Sequence, residues 1–275
     1  MKTLYMSDLD GTLLRSDATL SEYTCETINA LVEKGLMFSY ATARSFITAS
    51  RVTKGLRARI PMAAYNGAFV KDTVTGELLL ANFFGMEIHK VIDDLLLHEI
   101  YPIVYSLMDG AEKMSFMEGK CSRGMRTFLD TRKGDPRTRL AEDARALHDG
   151  DIFYITCIDE PEKLAPLYEK YRAEYHCLFQ KDVYSGEQWL ELMPTAASKA
   201  NAVRQLKEKL GCDRVVVFGD GKNDMDMFEM ADEKYAVANA VEELKRMASA
   251  VIGSNNDDGV ARWLMEHAKI GREER

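Results

Sequence analysis

Short apolar runs alternate with amphipathic stretches at both ends of the chain, and the alternation breaks in the middle. The first run, Leu4-Tyr5-Met6-Ser7, reads as a buried strand that ends in Asp8 and Asp10, followed by Gly11-Thr12. Ser21 reads as the N-cap of a helix through Ile28, Leu31 and Val32 that stops at Gly35. Residues 36–41 read as a second buried strand, running into Thr42-Ala43-Arg44. A helix carrying Phe46, Ile47 and Val52 leads past Gly55 to Pro61, and a third strand at 62–65 ends at Asn66-Gly67. Strand alternating with helix predicts βαβ units and a parallel sheet. Phe69-Val70 and Leu78-Leu79-Leu80, on either side of Thr75-Gly76, read as a hairpin leaving that core.

The middle has a different rhythm. Ile88, Val91, Ile92, Leu95 and Leu96 recur at helical spacing. Strands at 103–107 and 113–116 flank the Asp109-Gly110 turn, and the charge-rich stretch 123–149 reads as helix with loops. A strand at 151–157 precedes Pro161, which opens a helix carrying Leu164, Leu167 and Tyr171. Strands at 176–182 and 189–193 complete the block, which reads as a separate α+β domain with hinges near 82–85 and 191–195. The core pattern then resumes. Lys199 starts a helix that ends at Gly211, and Val215-Val216-Val217-Phe218 is a strand that runs into Gly219-Asp220-Gly221-Lys222-Asn223-Asp224. A helix at 225–230, a strand at 235–237, a helix at 241–247, a strand at 251–252 and a helix at 260–267 close the chain. The expectation is an α/β protein. Its doubly wound, Rossmann-like parallel-sheet core spans 1–81 and 195–275, and an α+β cap domain is inserted at 82–194.

Composition narrows the partners. With 275 residues, 46% hydrophobic and 29% charged, the chain is an ordinary globular protein with room for two domains. A net charge of −8 argues against a nucleic-acid binder held by phosphate contacts. It does not exclude a small phosphate, because a metal and a few cations can reverse the field inside one pocket. The five cysteines, Cys25, Cys121, Cys157, Cys177 and Cys212, are widely spaced with no C-x-x-C pair. No signal-peptide core and no bilayer-length apolar run accompany them, so the expectation is reduced thiols in a cytoplasmic protein without a membrane partner. His89, His98, His148, His176 and His267 lack H-x-x-x-H spacing, and no zinc site is expected. Gly219-Asp220-Gly221 lacks the third glycine of a dinucleotide fingerprint.

The candidate chemistry lies at strand ends. In open α/β sheets ligands bind at the carboxyl ends of the strands. Taken alone, Asp8 and Asp10 could be a strand running into an Asp/Gly turn. Asp220, Asn223 and Asp224 follow an equally apolar strand, and two acidic strand ends in one sheet bring several oxygens together. Such a cluster repels itself unless protonated or filled by a metal. Hard oxygen ligands with room for waters suit Mg²⁺, which takes one or two carboxylates plus a substrate phosphate. The Thr42 hydroxyl and Lys199 ammonium supply what the acids lack, a means to hold phosphate oxygens and neutralise their charge.

Asp8-Leu9-Asp10-Gly11-Thr12, Thr42, Lys199 and Gly219-Asp220-Gly221-Lys222-Asn223-Asp224 together resemble the signature motifs of the haloacid dehalogenase (HAD) superfamily. The insertion between Thr42 and Lys199 resembles its C2-capped, Cof-like sugar-phosphatase branch. So do Asn239-Ala240-Val241-Glu242-Glu243-Leu244 and the stretch 253–260, so the resemblance covers nearly the whole chain. It implies Mg²⁺-dependent hydrolysis of a small phosphorylated metabolite, such as a sugar phosphate, through an aspartyl-phosphate. On that resemblance Asp8 is the nucleophile. Asp10 is the general acid/base and binds Mg²⁺ through its backbone carbonyl. Thr42, Lys199 and Asn223 hold the phosphate, and Asp8, Asp10 and Asp220 hold the metal, with Asp224 and Arg44 in support. Tyr105, Met108, Met114 and Tyr184 lie in the insertion, where a cap would face the site. Each taken singly is read as structural, and specificity is expected to lie in cap side chains of this kind.

Two departures stand out. The family has Thr-Gly-Arg and Ser-Lys-Gly where this chain has Thr42-Ala43-Arg44 and Ser198-Lys199-Ala200. If either backbone needed φ above zero, the added Cβ would cost stability, and altered substrate shape or modest activity would follow. A phosphosugar mutase of the same superfamily is the near alternative. A receiver-type phospho-acceptor signalling protein is the distant one. A receiver has no use for an acid two residues after its nucleophile, nor for a large insertion.

Overall fold

An apolar run buried on both faces needs neighbours on both sides, and β1 (Thr3–Ser7) has them, with all five residues buried. The computed structural model describes residues 1–182 and 185–270. The chain divides into two units, Met1–Ala81 with Ala197–Arg275, and Asn82–Ala196. In the first, α1 (Glu22–Glu33) begins where Ser21 Oγ accepts the Thr24 N–H at 2.9 Å. It leads to β2 (Met37–Tyr40), parallel to β1. Next come α2 (Phe46–Val52), β3 (Met62–Ala64), β4 (Phe69–Lys71) and β5 (Leu78–Ala81).

The third strand departs from expectation. It heads a three-stranded antiparallel sheet, β3-β4-β5, and meets the parallel sheet through one bridge, Ala41 to Ala63. The reason is local. Tyr65, Asn66 and Gly67 take φ of 50°, 51° and 93°, which ends the strand after three residues and turns the chain back into β4.

The inserted unit contains α3 (Ile88–Leu97), β6 (Ile103–Met108), β7 (Ala111–Phe116), α4 (Arg123–Asp130) and β8 (Thr138–Leu140). It continues with β9 (Asp151–Ile158), α5 (Pro161–Tyr171), β10 (His176–Lys181) and β11 (Gln188–Met193). Its sheet runs β10-β11-β9-β6-β7-β8, antiparallel except for the β7–β8 pair. Ile92 and Leu95 of α3 and Leu164 of α5 pack with Val104, Ile155 and Leu192 of the sheet, so the unit has a core of its own. Strand β8 falls where helix and loop were expected. Thr138 and Leu140 are exposed and Arg139 is half-buried, so this edge strand carries no alternating apolar signal.

After the insertion come α6 (Lys199–Leu210), β12 (Arg214–Gly219), α7 (Met225–Met230), β13 (Glu233–Val237), α8 (Glu242–Met247), β14 (Ala250–Ile252) and α9 (Gly259–His267). The parallel sheet has the order β14-β13-β12-β1-β2. From β1 the chain builds outward to β2, whereas β12, β13 and β14 build the opposite side. The order therefore reverses between β1 and β12, whose ladder runs as far as Ser7 beside Phe218. Such a reversal opens a crevice at the carboxyl ends of the two strands. All five cysteines are free thiols, and among the described residues no helix is long and apolar enough to cross a membrane.

Because β1 is the hinge of this topology, truncating its fully buried Leu4 to Ala is expected to cost about 2–5 kcal/mol. Urea unfolding checks this, and a loss below about 0.5 kcal/mol, the size of a surface change, would contradict a central place for the strand.

Candidate active site

Asp8 continues the β1 ladder by one bond, its N–H donating to Phe218 O at 2.9 Å, so its carboxylate starts at the strand end. Asp220 is likewise the first residue after its strand, β12. The turn after Asp8 is forced against it. Gly11 has φ of 80°, and a Cβ there would lie 2.3 Å from Asp220 Oδ2. Only glycine satisfies both demands. Thr12 Oγ1 donates to Asp220 Oδ1 at 2.8 Å. The late segments brace this turn. Asn239 Nδ2 donates to Gly11 O at 2.8 Å and Asn255 Nδ2 to Leu14 O at 2.9 Å, while the Asn255 N–H donates to Asn239 Oδ1 at 3.0 Å.

Lys199 enters from the first turn of α6, where Ser198 Oγ caps the helix by accepting the Asn201 N–H at 3.1 Å. Its ammonium is fully buried and donates to Asp8 Oδ1 at 2.6 Å and Asp224 Oδ1 at 2.7 Å. The other Asp224 oxygen accepts the N–H groups of Asp220 and Gly221, both at 3.0 Å. One carboxylate oxygen each of Asp8, Asp220 and Asp224 lie within 4.8 Å of one another, and this is the one such acidic or His/Cys group among the described residues.

The electrostatics follow from burial. Burial drives the Asp8 carboxyl well above the usual carboxylate range, against the pull of Lys199, and Asp224, Asp220 and Asp10 push it further. Burial and then Asp224 push Asp220 up to about 7, against its bond from Thr12. For Lys199 burial works downward, but Asp224 and Asp8 outweigh it and hold the ammonium well above its ordinary value. Three carboxylates face one ammonium, so ionising all three leaves a deficit of positive charge. An all-oxygen donor set with that deficit fits a hard divalent cation.

The other expected site residues sort themselves around this centre. Asp10 does not contribute its carboxylate to the trio. Both its oxygens accept from Arg44, Nε to Oδ2 at 2.7 Å and Nη2 to Oδ1 at 2.6 Å, in a half-buried two-bond fork. Thr42 is fully buried, and its Oγ1 accepts the Arg44 N–H at 3.1 Å, which leaves its O–H to donate. Asn223 Nδ2 donates to Asn66 Oδ1 at 3.4 Å. In the sequence Asn66 marks only the end of a strand, although Asn-Gly readily takes left-handed backbone. Neither Ala43 nor Ala200 has positive φ, so the two replaced glycines bring no strain of that kind. In the inserted unit Tyr105 is buried, with its phenol pushed up to about 12 by burial, and pairs across the strands with buried Met114. Met108 ends β6 half-buried, and Tyr184 lies outside the described residues.

A reversed parallel sheet with an acidic trio and a buried lysine at its carboxyl edge is the architecture of an α/β enzyme. The chain belongs to the haloacid dehalogenase-like hydrolases, whose family model matches residues 5–264. It is a Cof-like phosphatase, a phosphoric monoester hydrolase. It is 25% identical over 274 residues to the 5-amino-6-(5-phospho-D-ribitylamino)uracil phosphatase YitU of Bacillus subtilis, covering 96% of each chain. A second Bacillus subtilis phosphatase with that activity in its name, YwtE, is 27% identical over 282 residues, covering 94% of this chain and 95% of the other. Among solved structures, TM0651 from Thermotoga maritima superposes with a TM-score of 0.78 at 26% identity over 98% of both chains. The HAD subclass IIB sugar phosphatase BT4131 shares the fold, with a TM-score of 0.76 at 16% identity over 97% of this chain and 98% of the other.

The charge deficit makes a prediction with opposite signs in two conditions. In chelator, Asp220→Asn is expected to raise the unfolding temperature, by about 2–4 °C for each kcal/mol of repulsion relieved. On adding Mg²⁺ the wild type is expected to gain stability by mass action, and the variant to gain much less. Thermal unfolding of both proteins, with and without Mg²⁺, checks it. A variant that is destabilised in chelator and still gains fully from Mg²⁺ would contradict the assignment.

Proposed function

We propose that this phosphatase hydrolyses small phosphomonoesters with Mg²⁺ as its resident cation, passing the phosphoryl group first to Asp8 and then to water. The observation that carries the reading is the convergence of Asp8, Asp220 and Asp224 oxygens beside the single buried ammonium of Lys199. Asp8 and Asp220 would hold the cation, with Asp224 fixing their loop. When bound, Mg²⁺ supplies the missing positive charge and lowers the repulsion between an anionic nucleophile and an anionic phosphate.

The residues of the chain do the rest. Lys199 fixes one Asp8 oxygen, which leaves the other to form a bond to phosphorus as the bond to the leaving oxygen breaks. Lys199, the Thr42 hydroxyl and the Asn223 carboxamide face the three peripheral oxygens in the loose transition state. Asp10 gives a proton to the leaving oxygen, then takes one from the water that attacks phosphorus and releases Asp8 and phosphate. Donation requires one Asp10 oxygen to turn out of the Arg44 fork, so Arg44 acts as a positioning residue for the acid. The activity named for the two Bacillus subtilis relatives, a phosphorylated ribityl compound, supports a sugar-like or polyol-like leaving group.

Asp8→Asn is expected to abolish the covalent intermediate. Asp10→Asn is expected to lose roughly 10²–10⁴-fold in turnover. With an aryl phosphate, whose leaving group needs little protonation, formation suffers less than breakdown, so the Asp10→Asn enzyme should accumulate phosphate on Asp8. Rapid-quench peptide mass spectrometry reads this directly, and label on any other residue, or full turnover in excess chelator, would sink the mechanism.

Arg44→Ala is expected to lower kcat for alkyl phosphates by about 10²-fold through misplacement of the acid, and for aryl phosphates much less. Equal loss on both substrate types would assign Arg44 to phosphate binding instead.

A further inference from the structure

We propose that the turn Tyr65-Asn66-Gly67 is a positioning device for the phosphoryl site, with Asn66 setting the carboxamide of Asn223. The proposal rests on the phosphatase reading above and concerns a segment apart from the residues Asp8, Thr42, Lys199 and Asp220. Three consecutive residues take left-handed backbone, with φ of 50°, 51° and 93°, and Tyr65 does so with a bulky aromatic side chain. Left-handed backbone is unfavourable for such a residue, and it persists only where the surroundings impose it. Here they are all buried, at 4% or less exposure for Tyr65 and Asn66.

What imposes it is contact with three motif segments at once. The Tyr65 N–H donates to Arg44 O at 3.0 Å and the Asn66 N–H to Thr42 O at 2.9 Å, which ties the turn to the backbone of the Thr42–Arg44 segment. A Cβ on Gly67 would lie 2.1 Å from Ser198 O and 3.2 Å from Lys199 N, so the turn packs directly against the entry to α6. The Asn66 carboxamide accepts from Asn223 Nδ2 at 3.4 Å. The groups assigned to hold the phosphate, Thr42, Lys199 and Asn223, are thus referred to one rigid turn. The turn meets the backbones that carry Thr42 and Lys199 and, of the three side chains, bonds the Asn223 amide directly. Asn suits position 66 on both counts, since it tolerates φ near +50° better than other side chains and brings a carboxamide.

Asn66→Gly separates the two contributions, because glycine keeps the left-handed backbone and removes only the amide. Its unfolding temperature is expected to stay near the wild-type value. Its kcat on p-nitrophenyl phosphate is expected to fall roughly tenfold, the worth of one neutral hydrogen bond, with little change in KM. Asn66→Ala adds backbone misfit, and about 10²-fold loss is expected. If Asn66 acts through Asn223, then Asn66→Gly made in an Asn223→Ala background should cost almost nothing further. In ¹⁵N-labelled protein the Asn223 side-chain amide pair, assigned by its absence in Asn223→Ala, is expected to shift in Asn66→Gly. That readout needs no activity, so it decides the proposal even if Mg²⁺ or Asp8 fails its own test. Additive effects in the kinetic cycle, or an unmoved Asn223 resonance, would overturn it.

Discussion

The Lys199 ammonium, held between Asp8 and Asp224 with no exposure to solvent, is the interaction on which the rest of the core depends. A buried charge survives only when paired and hydrogen-bonded, and removing one member of such a pair costs about 3–5 kcal/mol. This pairing joins the end of β1, the start of α6 and the loop after β12, three segments from the two ends of the chain. Their meeting requires β1 beside β12, and therefore the reversed strand order. It also requires a helix that begins at Lys199, which the Ser198 cap secures. The sheet order, the helix start and the loop geometry are in this sense one constraint seen from three places.

The inserted unit obeys a separate logic. Its helices α3 and α5 bury Ile92, Leu95 and Leu164 against Val104, Ile155 and Leu192, a cluster drawn entirely from its own residues. Two buried polar pairs lie wholly within it. Arg137 meets Asp135 at 2.6 Å, and the Tyr154 hydroxyl donates to Glu191 at 2.6 Å. A segment with an apolar core of its own can be inserted between β5 and α6 without rewriting the pattern of the parallel sheet.

That independence explains why so much was legible before any coordinates. Parallel strands buried on both faces must be continuous apolar runs, so β1 and β12 announce themselves, and their terminal acids fall where a parallel sheet presents its crevice. The illegible parts are those where periodicity carries no information. Strand β8 is a polar edge. Strand β3 is apolar enough to have joined the parallel sheet, but three positive φ values divert it, and sequence hints at only two of them, through Asn66 and Gly67. The Arg44 fork on Asp10 joins residues 34 positions apart, and motif spacing gives no rotamers. The bracing of the Gly11 turn by Asn239 and Asn255 spans still longer separations. In each case the missing information is tertiary.

On the proposed reading the nucleophile must be an anion in a place that burial makes hostile to anions. Desolvation is the largest influence on Asp8, and Lys199 offsets only part of it because Asp224 shares the same ammonium and adds its own repulsion. One positive charge divided between two carboxylates, with Asp220 close by, cannot hold all three ionised. A divalent cation held by these carboxylates would supply the positive charge that Lys199 alone does not. The carboxylate excess is a cost in stability that the folded protein bears for the sake of the reaction, and Lys199 keeps that cost within what the surrounding core can support.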